Sequence, residues 1–263
     1  IYTALNTLSL HDALPISGGT LTGGSFDAAK LTATGGTISA VLTGTGGLAT
    51  GGHVALNAAN TFTGAVNVNA GTLRLSGALA AIGSGQTSTT LLNLRQDATL
   101  DLNAAGSSVS NWTGAANAAR ISIGALVGSG SVVNTNASPA ILNLGNGGAN
   151  GTFTGSINQA AGAITLVKNG GGTQSIVGAN NFTGATVIRG GTLAVTSLAN
   201  IGQDSGLGAG DATSATTNDV PAFGWSAYAE RVNGRFAMVG FAAILLLEAL
   251  SGQTFLQWAG FVS

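Results

Sequence analysis

Asn60-Thr-Phe-Thr-Gly-Ala-Val-Asn-Val-Asn-Ala-Gly-Thr-Leu-Arg-Leu75 returns later in the chain as Asn180-Asn-Phe-Thr-Gly-Ala-Thr-Val-Ile-Arg-Gly-Gly-Thr-Leu-Ala-Val195. In both copies the aromatic, Phe62 or Phe182, stands nine positions before the glycine of Gly-Thr-Leu, Gly71 or Gly191. Weaker copies occur at Thr152-Phe-Thr-Gly155 and Asn111-Trp-Thr-Gly114, and Gly19-Thr-Leu21 and Gly36-Thr-Ile38 carry the second half alone. The aromatic positions 62, 112, 153 and 182 are 50, 41 and 29 residues apart, so the unit repeats without a fixed period.

The local pattern predicts strands. Leucines alternate with polar residues in Gly71-Thr-Leu-Arg-Leu75, and the same period of two holds at Leu100/Leu102 and Ile121/Ile123, which puts one face inward and one outward. Gly-Gly, Asn-Gly and Thr-Gly punctuate the runs and supply the backbone angles that turns need. No 12-residue stretch between 17 and 200 has a helical period with a charged outer face. Short strands with frequent turns suit a sandwich or a solenoid. Repetition of one strand–turn unit favours the solenoid, in which each coil buries its apolar face on the next. At about 22 residues per coil, 17–200 makes roughly eight coils, stacked to about 40 Å.

Composition divides the 263 residues in two. Charged residues are 6% of the chain, against roughly a quarter in ordinary soluble proteins. Glycine reaches 43 but proline only 3, which excludes collagen-like and Pro-rich readings. Net charge is −1 without a basic run, so nucleic acid is not expected as a partner. Cysteine is absent, removing disulfides, thiolate metal sites and Cys nucleophiles together. Residues 17–200 hold no Glu, whereas Glu230, Glu248, Trp225, Trp258 and Met238 all fall in the last 45 positions. Between them, 201–218 reads as a flexible linker. Residues 7–16 resemble one reading frame of a sequencing-library adapter, the chain starts at Ile1, and its only methionine is Met238. Residues 1–16 are therefore set aside as an artefact or disordered, and no secretory signal is read there.

The repeat, Asn-x-Phe-Thr-Gly followed by Val-x-x-Gly-Thr-Leu, resembles the autotransporter-associated β-strand repeat of bacterial surface and secreted passenger proteins. Copies at 60–75 and 180–195 carry the likeness. It implies a right-handed parallel β-helix located outside the cell or on an outer membrane.

The tail obeys other rules. Asn218 or Asp219 can cap a helix with Pro221 in its first turn. Phe236 to Leu247 is uncharged. Extended over 227–250, a helix of 24 positions would measure about 36 Å, enough for a bilayer core near 30 Å. Trp225, Tyr228 and Trp258 flank it where interface aromatics belong. Glu230-x-x-Asn233-Gly234-Arg235-x-Ala237-Met238-x-Gly240-Phe241 resembles the chlorophyll-binding helix of high-light-inducible, one-helix members of the light-harvesting superfamily. The resemblance spans about 220–261. It implies chlorophyll a and carotenoid as cofactors, a thylakoid membrane location and a photoprotective role, with Glu230, Asn233, Gly234, Arg235, Ala237 and Met238 around the pigment. Glu230 and Asn233, one turn apart, offer the oxygen donors that an open axial position on chlorophyll Mg²⁺ prefers. Arg235 is too far round the helix to pair with Glu230 in the same rod, so a homodimer or heterodimer through 227–250 would satisfy both charges. Gly234 and Ala237 leave room for close approach.

Other chemistry is thin. His53 stands alone in a glycine loop and His11 lies within 1–16, so a transition-metal site is not expected. Asp97 and Asp101 sit near Arg95 and read as a surface ion pair. Gly128-Ser-Gly130 and Gly206-Leu-Gly-Ala-Gly210 read as turns or linker, because neither joins a strand to a helix. Ladders of Asn or Thr within the solenoid read as structural. No Ser/His/Asp grouping can be assembled, and clustered acids and lysines are missing, which disfavours a polysaccharide-active enzyme.

The expectation is an all-β parallel β-solenoid followed by a linker and a single transmembrane α-helix. Its domains are 17–200 for the solenoid, 201–218 for the linker and 219–263 for the pigment helix. The function expected is non-enzymatic pigment binding by the tail with the solenoid as passenger, in a fusion that two conflicting compartments mark as chimeric. The alternative is a surface or outer-membrane adhesion or scaffold protein of the autotransporter type, with the tail as its membrane anchor.

Overall fold

The computed structural model describes residues 2–3, 8–10, 14–28, 30–76, 82, 89–103, 120–200, 202–209 and six positions of the tail: 244, 246, 249, 250, 254 and 257. The chain divides into two units, Ile1–Thr217 and Asn218–Ser263.

In the first unit the short alternating segments form strands that stack in three lines, each line one face of a parallel β-solenoid. The first face runs from Gly47–Thr50 through Val66–Val68, Leu91–Leu94, Ala125–Gly128, Gly151–Phe153 and Thr173–Ile176 to Thr192–Val195. The second carries Val54–Leu56, Gly71–Leu75, Ala98–Asp101, Ser131–Val133 and Ser156–Asn158. Lys30–Ile38 is long enough to turn the corner and pair on both faces. The third face is built from Leu8–Leu10, Ser25–Ala28 and Val41–Thr43, and further along from Arg120–Ile123, Ala140–Leu144, Ile164–Lys168 and Thr186–Ile188. Strands also occupy part of the segment set aside on sequence: Leu14–Thr22 pairs in parallel with Lys30–Ile38.

Register gives the coil lengths. First-face partners are 17 residues apart at Leu31/Leu48, 18 at Leu48/Val66, 26 at Val66/Leu92 and 34 at Leu92/Leu126. The offset then falls to 25 at Gly128/Phe153, 23 at Phe153/Ile176 and 19 at Ile176/Val195. Strand length hardly varies, so the corners absorb the difference. The 34-residue coil contains 104–119, including the weak copy at Asn111-Trp112, which lies outside the described residues.

Alternation fills the interior with one side chain in two. Val66, Val68, Leu92, Leu94, Leu73, Leu100, Val132, Phe153 and Ile176 are all fully buried. Each such side chain contributes about 1.5–3 kcal/mol relative to exposure.

The quoted repeat is a corner device. The backbone N–H of Leu42, one coil back, donates to Asn60 Oδ1 at 2.9 Å, while Asn60 Nδ2 donates to Ala58 O at 3.2 Å. Asn180 repeats both bonds, accepting from Ile157 N–H at 2.7 Å and donating to Gly178 O at 3.0 Å. Phe62 and Phe182 are buried beside them. Gly71 and Gly191 have φ of +72° and +65°, the left-handed turn that starts the next strand. Yet the copies occupy different corners. Asn60 caps a third-face strand and leads to the first and second faces. Asn180 caps a second-face strand and leads to the third and first.

Beyond the last strand, 202–209 fold back on this corner. Asn180 and Ser205 exchange backbone bonds of 2.9 and 3.2 Å, and Ala209 N–H donates to Phe182 O at 2.9 Å.

The transmembrane α-helix expected over 227–250 is not found. Ile244, Leu246, Ala249 and Leu250 are helical, but among the described residues no helix is long and apolar enough to cross a membrane. The physical reason is length. Arg235 and Glu248 bracket only twelve uncharged residues, Phe236 to Leu247, about 18 Å of helix where a bilayer needs about 30 Å. The membrane partner, the thylakoid location and the homodimer or heterodimer through that helix all required the span and fall with it. So do chlorophyll a and carotenoid as cofactors. Glu230, Asn233, Gly234, Arg235, Ala237 and Met238 lie outside the described residues.

If Asn60 and Asn180 do the same work at different corners, Asn60→Ala and Asn180→Ala should each cost about 1–3 kcal/mol, by orphaning a buried backbone N–H. Denaturant unfolding of the two variants checks this, and a silent Asn180→Ala would refute the equivalence.

Candidate functional site

The outward side of the second face holds an open groove of about 620 Å³. Alternation that sends Leu73 and Leu100 inward sends their neighbours out, and parallel register stacks those neighbours in columns. Thr72 stands beside Thr99, and Thr99 beside Ser131, whose hydroxyl lies 3.3 Å from that of Ser156. The adjacent column places Ala55 beside Arg74, Arg74 beside Asp101 and Asp101 beside Val133. His53 and Thr37 complete one end and Thr135 the other.

Asp101 organises the charged part. It is 3% exposed, and a carboxylate so placed needs several donors. Its Oδ1 accepts from the backbone N–H of Asn103 and of Thr135, each at 3.1 Å. Its Oδ2 accepts from Thr135 Oγ1 at 2.7 Å and lies 3.6 Å from Arg74 Nε. Arg74 Nη2 donates to Asn103 Oδ1 at 2.9 Å, and Asn103 Nδ2 donates to Leu75 O at 3.0 Å. Asn103 takes φ +35°, which Asn tolerates better than most residues. The guanidinium is thus held along one edge while the Arg74 side chain remains 51% exposed. The surface ion pair expected of Asp97 and Asp101 with Arg95 is corrected for Asp101, which is buried and has Arg74, one coil away, as its partner.

Two further polar devices are structural. Lys168 is fully buried, and its Nζ donates to Asn169 O, Gly170 O and Gly190 O at 2.5, 3.0 and 3.2 Å, using all three protons. Burial pushes its pKa below the ordinary lysine value. Gln174 points inward and spans a gap: its Nε2 donates to Leu126 O at 2.8 Å and its Oε1 accepts from Leu126 N–H at 3.1 Å. The strand between them carries Gly151, where a Cβ would sit 2.7 Å from that Oε1.

The sequence carries a signal for the Arg74–Asp101 pair in two matching strands. Thr72-Leu-Arg-Leu75 and Thr99-Leu-Asp-Leu102 have the same pattern with opposite charges in the same place, as stacked strands require. His53 lies exposed on the rim as a turn residue. Among the described residues no three His, Cys, Asp or Glu side chains gather to hold a metal.

Fold and groove together define a parallel β-solenoid repeat protein with an outward polar groove. Residues 51–75 and 166–195 match the model of the Passenger-associated-transport-repeat, and residues 215–259 match that of the High light-inducible protein HliA. The chain is also similar to the Adhesin BmaC autotransporter of Brucella suis biovar 1 (strain 1330), with 36% identity over 208 residues, 77% of this chain. It spans about 5% of that relative's length. No solved structure matches it. The likeness at 215–259 is one of sequence alone, since the described residues there give no spanning helix.

Removing the buried member of the ion pair should hurt far more than removing the exposed one. Asp101→Ala should cost about 2–4 kcal/mol, because three donors lose their acceptor. Arg74→Gln should cost about 1 kcal/mol or less. Thermal or denaturant midpoints of both variants check the asymmetry; equal losses would refute it.

Proposed function

We propose that the chain is a bacterial surface adhesion module of the passenger type, acting outside the cell. The carrying observation is a parallel solenoid whose corner motif, at 51–75 and 166–195, is similar to the passenger-associated repeat. The likeness to an autotransporter adhesin over most of the chain supports the same reading.

The physics suits the role. Each coil contacts only its neighbours, so folding can propagate along the stack, and a chain without cysteine has no cross-links to form first. Low charge and small side chains leave long flat faces on which contacts can be built. The groove on the second face offers polar groups for such a contact, among them Thr37, Thr72, Arg74 and Thr99.

Display of the full chain on a bacterium without adhesins of its own tests the proposal. Adherence to epithelial cells or to immobilised extracellular matrix should rise several-fold over the empty display vector. Confirmed display without added adherence to either would overturn it.

A further inference from the structure

We propose that the groove on the second face binds a carboxylate-bearing saccharide, with Arg74 taking the carboxylate and the threonine hydroxyls taking the sugar. This names a ligand class for the adhesion reading and depends on that reading for its biological setting.

The cationic group comes first. Asp101 and Asn103 hold Arg74 through Nε and Nη2. Among the described residues Nη1 has no hydrogen-bond partner, and half the side chain faces solvent. A guanidinium fixed along one edge presents the other as a planar fork, the geometry that carboxylates match best. Asp101 does not compete for the ligand, because it is buried and its oxygens are taken by Thr135, Asn103 and Arg74.

Hydroxyls come second. Thr37, Thr72 and Thr99 line the groove half-buried, and their hydroxyls bond to no other described residue. Each can both donate and accept, which suits a polyhydroxylated partner. The groove reaches from the strand containing Thr37 to that containing Val133, five strands or about 19 Å at ~4.8 Å each, room for a short oligosaccharide.

The same features disfavour a peptide. Val54–Leu56, Gly71–Leu75 and Ala98–Asp101 are paired on both sides, so no backbone edge is offered for strand addition. Among the described residues the lining contains no Trp, Tyr or Phe to form an apolar anchor pocket.

Titration calorimetry of the full chain with trigalacturonate, and with its methyl ester as neutral twin, tests the proposal. Saturable binding of the acid is expected, at least about tenfold tighter than of the ester. Arg74→Gln should remove most of that preference while the circular dichroism spectrum stays unchanged. Thr72→Val/Thr99→Val should weaken the acid several-fold, and it serves if Arg74→Gln fails to fold. No binding, equal affinity for acid and ester, or full binding by either folded variant would overturn the site. Surface adherence that Arg74→Gln leaves intact would sink the groove but keep the adhesion role. Binding by a chain that confers no adherence would do the reverse.

Discussion

Parallel hydrogen bonding between one coil and the next governs what this chain can contain. Each strand satisfies its backbone on the coil before and the coil after, so the space enclosed by the three faces holds side chains with few polar obligations. Small apolar residues fill it, and an unpaired inward charge would cost several kcal/mol. Hence the solenoid manages with very few charges: the Arg74 side chain is half exposed, and buried Lys168 is satisfied by three carbonyls. Where the ladder lapses, side chains replace it. Between Ala125–Gly128 and Gly151–Phe153 the register reduces to one pair, Gly128 with Phe153. Gln174 then reaches across Gly151 to bond Leu126 as a strand would. Lys168 serves three carbonyls at another corner, as a tethered cation.

The same constraint explains why the repeat is recognisable yet has no period. Strands must stay in register, but corners need only return the chain to the next rung. Coil lengths between 17 and 34 residues are compatible with one stack. The Asn-x-Phe-Thr-Gly unit belongs to a corner, because its Asn caps the strand one coil back and its Phe fills the space beneath. All three faces are parallel, so one corner serves as well as another. Two copies with the same internal spacing therefore land on different faces, which a reading based on a fixed repeat length could not anticipate.

What was legible in the sequence follows from this. Alternation at Leu73/Leu75 and Leu100/Leu102, with glycines between runs, suffices for stacked parallel strands, because both signals are local. Pairing across coils is not local. Arg95 lies near Asp101 in sequence and was the natural candidate partner, but in a solenoid the true neighbour is a coil away, at Arg74. Only comparison of Thr72-Leu-Arg-Leu75 with Thr99-Leu-Asp-Leu102 exposes it. In the tail, the 24 positions of 227–250 satisfied the length requirement only by counting Glu230, Arg231, Arg235 and Glu248 into the span. Twelve uncharged residues between Arg235 and Glu248 do not make a span, whatever pattern surrounds them.

The groove draws its meaning from the scarcity of charge around it. Strand pairing alone does not call for a carboxylate at position 101, since Val133 stacks on the same column in the next coil. The Asp101 carboxylate accepts from the backbone N–H of Asn103 and of Thr135 and from the Thr135 hydroxyl. Its effect is to hold Arg74 by one edge, ordering a side chain that otherwise carries about 2 kcal/mol of rotamer freedom. On a face otherwise built of Thr, Ser, Ala, Val and Asn, Asp101 offsets part of that guanidinium's charge, and the edge turned away from Asp101 is what an entering ligand meets. A buried acid that orients an exposed base, beside hydroxyls that bond to no other described residue, gives the proposed site its preference for a ligand's charge.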